Sequence, residues 1–246
     1  MCQSDFPAYR GQMEYVCLHC GQRYPGDSLL YTCPSCGGVF LLENTKFDEL
    51  KQRSGAEWRE IFDRRASTRS TALRGIFRYY ELLAPLLDEE DIVYLGEGLT
   101  PIVEAAPALR DRVGVPFAYK NDGQNPSASF KDRGMACAFS YLKWLCRRHQ
   151  WDEVLTVCAS TGDTSAAAAL YASYVGAPLK SVVLLPHGKG CTLLYNFTSP
   201  WACGFRRKPA SENPLPPRHP PAAPGSIPRW SLPSYKYHPL KGLLFP

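Results

Sequence analysis

Two groups of residues in this chain have types and spacings that could do chemistry. The first is a pair of Cys-x-x-Cys motifs, Cys17–Cys20 and Cys33–Cys36, each followed directly by glycine. Four thiolates at this spacing form a closed tetrahedral zinc site, which is structural because no coordination position stays open. His19 lies inside the first pair and is not expected to be a ligand. Two disulfides or redox pairs are the alternative, and the absence of a secretory signal favours zinc over them.

The second group surrounds Lys131, in the segment Asn125–Met135, which reads Asn-Pro-Ser-Ala-Ser-Phe-Lys-Asp-Arg-Gly-Met. Its Asn-Pro pair predicts a turn, and the small residues that follow would let another group approach the backbone closely. Lys131 comes next, at the start of a predicted helix, with Asp132 in the first turn where a negative charge suits the helix dipole. A partly desolvated lysine amine can form a Schiff base with an aldehyde. Taken alone, such a lysine is more simply a surface residue beside a helix start.

The elements around Lys131 are predicted to form an α/β sheet. Apolar residues at helical spacing predict a helix from Lys131 to about His149. An apolar, β-branched run at Val154–Cys158 predicts a buried strand, and a helix from about Asp163 to Val175 and a strand at Ser181–Leu185 follow it. In such βαβ units, ligands bind where the C-terminal ends of strands meet helix N-termini. The order of elements therefore predicts a ligand site in the loop after the first strand.

That loop carries the groups that an anion would need. Backbone N–H groups and the hydroxyls of Ser160, Thr161 and Thr164 are expected to converge there, with Asp163 beside them. No GxxxxGK segment is present, so the loop is not a nucleotide-binding P-loop.

The remaining elements are predicted to be shorter. Around the second cysteine pair, Asp27–Thr32 and Val39–Leu42 are expected to pair as strands. Gly96–Pro101 predicts a turn before the short strand Ile102–Val103, and Phe117–Lys120 predicts a strand that leads to the lysine segment. The segment Lys46–Leu87 is expected to be helical and linker-like, with a helix at Ile76–Leu83. It contains five arginines that predict a solvated face: Arg64, Arg65, Arg69, Arg74 and Arg78.

Charge and hydropathy exclude some classes of function. The formal net charge is +5, but Cys191–Pro246 hold seven basic residues against one acidic residue, so the rest of the chain carries −1. This body has no electrostatic footprint for nucleic acid. No apolar run is long enough to cross a bilayer, and no basic-then-apolar segment marks secretion. We therefore expect no nucleic-acid or membrane partner and a cytoplasmic location.

Three motifs in order carry a resemblance to a known family. The lysine segment resembles the cofactor-lysine segment of threonine synthases, which are fold-type II enzymes dependent on pyridoxal 5′-phosphate (PLP). Gly96–Pro101 upstream and Ala159–Ser165 downstream also match, and the resemblance covers roughly Tyr94 to His187. Some threonine synthases also carry a zinc ribbon at the N-terminus.

The chain departs from the family at two small places. Leu99 stands where the family often has Asn, and Ser127-Ala128 stand where it often has Thr-Gly. Neither departure removes a reactive group.

The resemblance implies a partial fold-type II (tryptophan synthase β-like) α/β domain and a lyase of threonine biosynthesis. Such an enzyme converts O-phospho-L-homoserine and water to L-threonine and phosphate. Lys131 would hold PLP and move protons, and Asp163 would contact the 3-hydroxyl of the cofactor. The residues implied to contact the substrate are Thr100, Ser160, Thr161, Gly162 and Thr164. Threonine dehydratase-like or cysteate synthase-like chemistry, or an inactive remnant with only a structural zinc module, are the alternatives, and a homodimer is left open.

The expected organisation has four parts. Residues 1–45 form the zinc-ribbon module, 46–93 a helical linker, 94–189 a partial PLP-dependent enzyme domain, and 190–246 a basic, proline-rich tail expected to be disordered. The resemblance stops after about Lys189, where the composition changes abruptly. A shifted reading frame or a damaged gene end is favoured over a polyproline linker or a ligand for SH3 domains. The chain is therefore expected to be truncated relative to the family.

This organisation predicts that residues 1–246 release no measurable phosphate from O-phosphohomoserine. The resemblance implies that a glycine-rich loop holds the cofactor phosphate beyond Lys189, whereas Gly204, Gly225 and Gly242 are isolated among prolines and cannot build one. Weak PLP binding and low solubility are expected for the same reason. The measurement is inorganic phosphate released by the purified chain with PLP present. Turnover of about 1 per second or more, the ordinary enzyme range, would contradict the prediction.

Overall fold

The structure, a computed structural model, describes residues 6–184 and the strand Leu243–Phe245. The predicted disordered tail is therefore wrong for Leu243–Phe245, because their backbone pairs with a strand of the main sheet. The rest of the tail lies outside the described residues.

The N-terminal part is an antiparallel sheet of three strands, in the order β2-β1-β3. These strands are β1 (Met13–Cys17), β2 (Arg23–Pro25) and β3 (Phe40–Asn44). The predicted strand at Asp27–Thr32 is wrong. Both edges of β1 are already occupied, one by β2 directly after the first cysteine pair and the other by β3. Val39 also lies outside the strand that was predicted to begin there.

The middle part consists of short helices: α1 (Phe47–Leu50), α2 (Gly55–Arg65) and α3 (Tyr80–Leu83), with 3-10 turns at Thr71–Leu73, Ile76–Tyr79 and Glu89–Asp91. The N-terminus of α2 is fixed by a reciprocal capping box between Ser54 and Glu57. The predicted helix at Ile76–Leu83 is present as a 3-10 turn that continues into α3.

The solvated arginine face predicted for this region is wrong for two of its members, which are buried. Arg65 binds both carboxylate oxygens of Glu81 at 2.6 and 2.7 Å, and Arg78 donates to the carbonyl of Phe62. A buried guanidinium needs such partners, and none of them can be read from the spacing of the arginines.

The part that contains Lys131 has two sheets. Strands β4 (Ile102–Glu104) and β5 (Ala118–Lys120) pair antiparallel, with α4 (Pro107–Val113) between them in the chain. The second sheet is parallel, in the order β7-β6-β8, with β6 (Val154–Ala159), β7 (Leu179–Leu184) and β8 (Leu243–Phe245). Helices α5 (Lys131–His149) and α6 (Asp163–Val175) have the predicted bounds. Strand β7 begins two residues earlier than predicted.

The main core lies between α5, α6 and the parallel sheet. Its buried residues are Val93, Met135, Ala136, Phe139, Leu142, Cys146, Cys158, Ala167, Ala168, Tyr171, Ala172 and Leu179. A second cluster joins the middle part to the outer side of α5 through Leu73, Phe77, Tyr80, Leu87, Trp144 and Leu145. Helix α5 is therefore shared by both cores.

The ribbon sheet also contacts α5 directly. The Tyr141 hydroxyl donates to the carbonyl of Gly26 at 2.6 Å and lies 2.9 Å from the Tyr15 hydroxyl. Near the end of α5, Arg148 forms an ion pair with Asp27 at 2.8 Å. None of the helices in the described parts of the chain has the length and apolar content that a bilayer span requires.

Candidate active site

Lys131 is the first residue of α5, and its amine is free of polar partners within the described residues. The side chain is half-buried, and Nζ lies 4.7 Å from the centroid of the Phe130 ring. The lysines on either side in sequence differ. Lys120 Nζ donates to the carbonyl of Thr100 at 2.9 Å, and Lys143 Nζ donates to the carbonyl of Glu90 at 2.5 Å. Of these three amines, only that of Lys131 is available for chemistry.

The turn before Lys131 is closed by Asp132. This aspartate is fully buried, and its two carboxylate oxygens accept from the backbone N–H and the hydroxyl of Ser127, both at 2.7 Å. Burial raises the pKa of Asp132, and the hydrogen bonds from Ser127 oppose that rise. The sequence assigned Asp132 only a favourable interaction with the helix dipole. In the structure it also fixes the conformation of the turn before Lys131.

The Gly96–Pro101 turn is fastened to both the lysine segment and α6. The side-chain oxygen of Asn125 accepts from the N–H of Gly98 at 3.0 Å. Glu97 is buried, and its Oε2 accepts from the hydroxyl of Tyr171 on α6 at 2.9 Å. Burial raises the pKa of Glu97. Asn125 and Glu97 were not predicted as functional residues, although both lie inside the matched motifs.

The Ser160–Thr164 loop joins β6 to α6. Ser160 Oγ accepts from the N–H of Gly162 at 3.3 Å, and the Ser160 carbonyl accepts from the hydroxyl of Ser165 at 2.7 Å. Among the described residues, no side chain caps the N-terminus of α6. A Cβ atom added to Gly162 would meet no atom of the described residues within 4 Å, so this part of the chain leaves space beside the loop. Uncapped N–H groups beside open space can bind an anion.

The N-termini of α5 and α6 lie side by side. The rings of Phe139 and Tyr171 stack with centroids 6.4 Å apart. Near the helix starts, the carboxylate of Asp163 adds to the rise in the Asp132 pKa that burial mainly causes. Because both pairs have nearly the same sequence offset, the helices run in the same direction. The fold therefore brings Lys131 and the Ser160–Thr164 loop to one edge of the sheet.

Thr100 is buried, and its hydroxyl is used inside the protein. It donates to Asp122 Oδ1 at 2.7 Å, and Arg133 Nη2 donates to it at 3.1 Å. Asp122 also receives a fork of hydrogen bonds from Arg133 at 2.8 and 3.2 Å. The bonds from Arg133 and then Thr100 lower the pKa of Asp122 to about 2. Substrate contact by Thr100 stays a prediction, and sequence reasoning did not identify Asp122 or Arg133.

Two non-glycine residues beside the site have left-handed backbones, Leu99 with φ 48° and Ala128 with φ 61°. Both positions are the ones at which the chain departs from the family motifs. Glycine adopts positive φ without a steric penalty and asparagine tolerates it, whereas leucine and alanine do so at a cost. These departures from the family motifs remove no reactive group, but they are sources of backbone strain.

The four predicted zinc ligands lie together. Cys17 Sγ is 3.5 Å from Cys36 Sγ, and Cys20 Sγ is 3.7 Å from Cys33 Sγ; all four sulfurs lie within 4.8 Å of one another. These distances exceed a disulfide bond, about 2.05 Å, and match the edge of a tetrahedron with Zn–S bonds of about 2.3 Å, which is about 3.8 Å. The cluster does not include His19.

The backbone around the cysteines repeats in both halves. Gly21 N–H donates to the Cys17 carbonyl and Gly37 N–H to the Cys33 carbonyl, and both glycines have positive φ. A Cβ atom on Gly38 would lie 2.9 Å from His19 Cβ, 3.0 Å from Cys17 Sγ and 3.3 Å from Cys36 Sγ. The backbone thus passes too close to His19 and the sulfurs for a side chain at this position. The hydrogen bond from the Tyr24 hydroxyl lowers the pKa of Cys33 to about 6.

Two clefts elsewhere in the described structure do not contain Lys131. One, of about 380 Å³, lies between the ribbon and α5, beside Met13, Asp27 and Trp144. The other, of about 390 Å³, is lined by Ile61, Arg64, Arg65 and Thr68. Neither combines an available nucleophile with anion-binding N–H groups, so the chemistry of the residues identifies the site better than cleft volume does.

Comparisons with known proteins agree with the motifs. Residues 93–191 match the family model described as pyridoxal-phosphate dependent enzyme. The chain is 39% identical over 177 residues to threonine synthase of Methanocaldococcus jannaschii, covering 70% of this chain and 38% of the relative. It is 43% identical over 117 residues to threonine synthase of Synechocystis sp. (47% of this chain, 28% of the relative). It is 33% identical over 175 residues to threonine synthase 2, chloroplastic, of Arabidopsis thaliana (68% and 32%).

The resemblance that the three motifs indicate is therefore confirmed. The chain spans less than two fifths of the length of these relatives.

The strained positions yield a stability prediction. Ala128→Gly should raise the free energy of unfolding by about 1 kcal/mol, because glycine removes the left-handed penalty of alanine. Leu99→Asn should act in the same direction. Urea denaturation with an unchanged m-value is the measurement. The matched control is Ala108→Gly, an exposed alanine inside α4, which should lower stability by about 0.5–1 kcal/mol because glycine is the poorer helix former. A loss of stability in Ala128→Gly similar to that in the control would contradict the strain at residue 128.

Proposed function

We propose that this chain, which is similar to threonine synthases over 70% of its length, carries part of the active site of a PLP-dependent lyase of the threonine synthase type, and that residues 1–246 alone release no measurable phosphate. Such a lyase converts O-phospho-L-homoserine and water to L-threonine and phosphate. The observation that carries the proposal is the placement of Lys131. Its amine has no polar partner within the described residues, and it lies at one of two adjacent helix N-termini, beside the Ser160–Thr164 loop. The names of the relatives favour threonine synthase over other fold-type II lyases.

The residues at this edge fit the aldehyde end of PLP. The cofactor needs a free amine, which Lys131 offers, and room at the same edge of the sheet, where the described residues leave space beside Gly162. Asp163, exposed at the first position of α6, is the residue proposed to contact the cofactor's 3-hydroxyl. The described residues offer no second glycine-rich helix start for the cofactor phosphate, so the fit covers the aldehyde end alone.

The residues of the chain divide the work between binding and proton transfer. The N–H groups at the start of α6 and the hydroxyls of Ser160, Thr161 and Thr164 would bind the substrate carboxylate, which they attract as uncapped donors at a positive dipole end. The Lys131 amine would accept and return protons at the substrate carbons. Bound PLP supplies the electron sink that makes loss of those protons feasible.

Lys131 is predicted to be the lysine that carries PLP. The purified chain is incubated with PLP, reduced with borohydride and mapped by peptide mass spectrometry. The phosphopyridoxyl label should lie on Lys131, because the amines of Lys120 and Lys143 are held by backbone carbonyls.

The control for this labelling is Lys131→Ala, which should remove the label without exposing another lysine. Label on Lys120 or Lys143 in the wild-type chain would overturn the assignment. Because the measurement detects modification of one side chain, it does not require catalytic turnover.

We also propose that Cys17, Cys20, Cys33 and Cys36 bind one structural zinc ion. Support comes from their sulfur separations, which fit a zinc tetrahedron, and from the two glycine-closed turns that surround them. A closed set of four thiolates leaves no position for substrate. The metal would therefore stabilise the ribbon rather than take part in the reaction.

Metal analysis of the purified chain should find about one zinc per molecule. The double variant Cys17→Ser/Cys36→Ser should lose the metal, since two ligands cannot hold it. His19→Ala is the matched control and should keep it, because His19 lies in the same turn outside the sulfur cluster. Intramolecular disulfides without metal, or loss of zinc in His19→Ala, would count against the site as proposed.

A further inference from the structure

Three side chains, those of Thr100, Asp122 and Arg133, form a hydrogen-bonded group that we call the Arg133 clamp. Arg133 lies two residues after Lys131, the proposed cofactor lysine. Arg133 donates to both carboxylate oxygens of Asp122, at 2.8 and 3.2 Å, and to the Thr100 hydroxyl at 3.1 Å. The Thr100 hydroxyl completes the ring by donating to Asp122 at 2.7 Å. A planar guanidinium fork fixes direction as well as distance, which a single lysine ammonium cannot do.

The clamp joins three separate segments of the chain. Thr100 lies near the end of the Gly96–Pro101 turn, Asp122 begins the 3-10 turn Asp122–Gln124 after β5, and Arg133 lies in the first turn of α5. The side chains of Arg133 and Asp122 are 23% and 34% exposed, so water does not screen the pair fully. Two further bonds fasten the same segments. Lys120 binds the carbonyl of Thr100, and the Asn125 amide binds the carbonyl of Asp122 at 2.8 Å.

We propose that the Arg133 clamp is a positioning element that sets the place and direction of the Lys131 amine. The inference rests on the proposed function of Lys131. Arg133 and Lys131 share the first turn of α5, so holding the guanidinium against Asp122 holds the start of the helix. Leu99, one of the two strained residues, lies in the Gly96–Pro101 turn, and Ala128, the other, lies in the chain between Asp122 and Arg133. Strained conformations persist only where surrounding contacts over-determine them. Thr100 acts here through Arg133 and Asp122 rather than by touching substrate.

An arginine near this site could instead bind the anionic phosphate group of the substrate. The contacts favour the internal role, because the carboxylate of Asp122 already takes up the guanidinium fork and neutralises its charge. Hydrogen bonds from Arg133 and then Thr100 lower the pKa of Asp122 to about 2, so this carboxylate is charged at neutral pH. Binding of an anion by Arg133 would therefore compete with the Asp122 pair.

The test compares Arg133→Lys, Asp122→Asn and Thr100→Val in the full chain by hydrogen exchange and mass spectrometry. Exchange in residues 95–103 and 120–130 should rise about tenfold, since each change leaves a partly buried partner unsatisfied. Residues 13–44 should not change. Thr100→Ser keeps the hydroxyl and should restore the wild-type rate. Arg112→Lys, an exposed arginine on α4, is the matched control and should have no effect.

The second readout is borohydride trapping of PLP at Lys131. The clamp variants should lose at least about tenfold in labelling rate, because misplacement of a reactive group by about 1 Å can cost 100-fold. Thr100→Ser should label like the wild type.

Unchanged exchange in Arg133→Lys and Asp122→Asn would overturn the clamp and would leave Arg133 for the substrate anion. Raised exchange with unchanged labelling of Lys131 would overturn its positioning role. If wild-type Lys131 is not labelled at all, the proposed function fails, and the exchange rates still decide whether the clamp holds the lysine segment.

Discussion

The close, parallel packing of α5 on α6 is the constraint on which the rest of this structure depends. Helix α6 presents Ala167 and Ala168 with no exposed surface, so the two backbones can approach without intervening side chains. Phe139 and Tyr171 stack between the helices further along. Because the helices run in the same direction, their N-termini come to one edge of the sheet. The pairing of the Lys131 amine with the N–H groups at the start of α6 follows from this packing and from no single motif.

The turns near the N-termini of α5 and α6 bury two carboxyl groups, and burial of a charged group costs free energy. Asp132 and Glu97 are both almost fully buried, and burial raises the pKa of each carboxyl group. Each is retained because it completes hydrogen bonds that local backbone cannot make, Asp132 with Ser127 and Glu97 with Tyr171. Asp132 ties the turn before α5 to that helix, and Glu97 ties the Gly96–Pro101 turn to α6. The buried acids thus convert packing between helices into fixed loop positions beside Lys131.

The sequence predicted those parts of the molecule that depend on local chemistry. Helices α5 and α6 begin and end where the charged residues, the alanines and the glycine of the sequence predicted, because these signals act within a few residues. The prediction of a strand at Asp27–Thr32 was wrong because pairing with β1 depends on distant segments, and β2 and β3 occupy both edges of β1. The burial of Arg65 depends on Glu81, sixteen residues away, and spacing alone does not reveal such partners.

The candidate site divides in the same way. Lys131, the Ser160–Thr164 loop and the four cysteines could be selected from motifs, because each motif holds its reactive groups within a few residues. Arg133, Asp122 and Thr100 span 33 residues, and their meeting requires the turn of Gly96–Pro101 to fold onto the start of α5. The positive φ angles of Leu99 and Ala128 could not be predicted either, because they also depend on how the turns fold. The departures from the family motif were visible, but their backbone consequence appears only in the folded turn.

The N-terminal sheet and its turns, referred to as the ribbon, affect the candidate site through the C-terminal half of α5. Helix α5 has 19 residues and is therefore about 28 Å long, with Lys131 at its first position. Its distal half is held by the ribbon through Tyr141 and the Arg148–Asp27 pair, and its outer side packs Trp144 into the cluster of the middle part. A helix restrained along its length moves as one body. Contacts that are remote from Lys131 can therefore fix where its amine lies, without any residue of the ribbon approaching the reacting atoms.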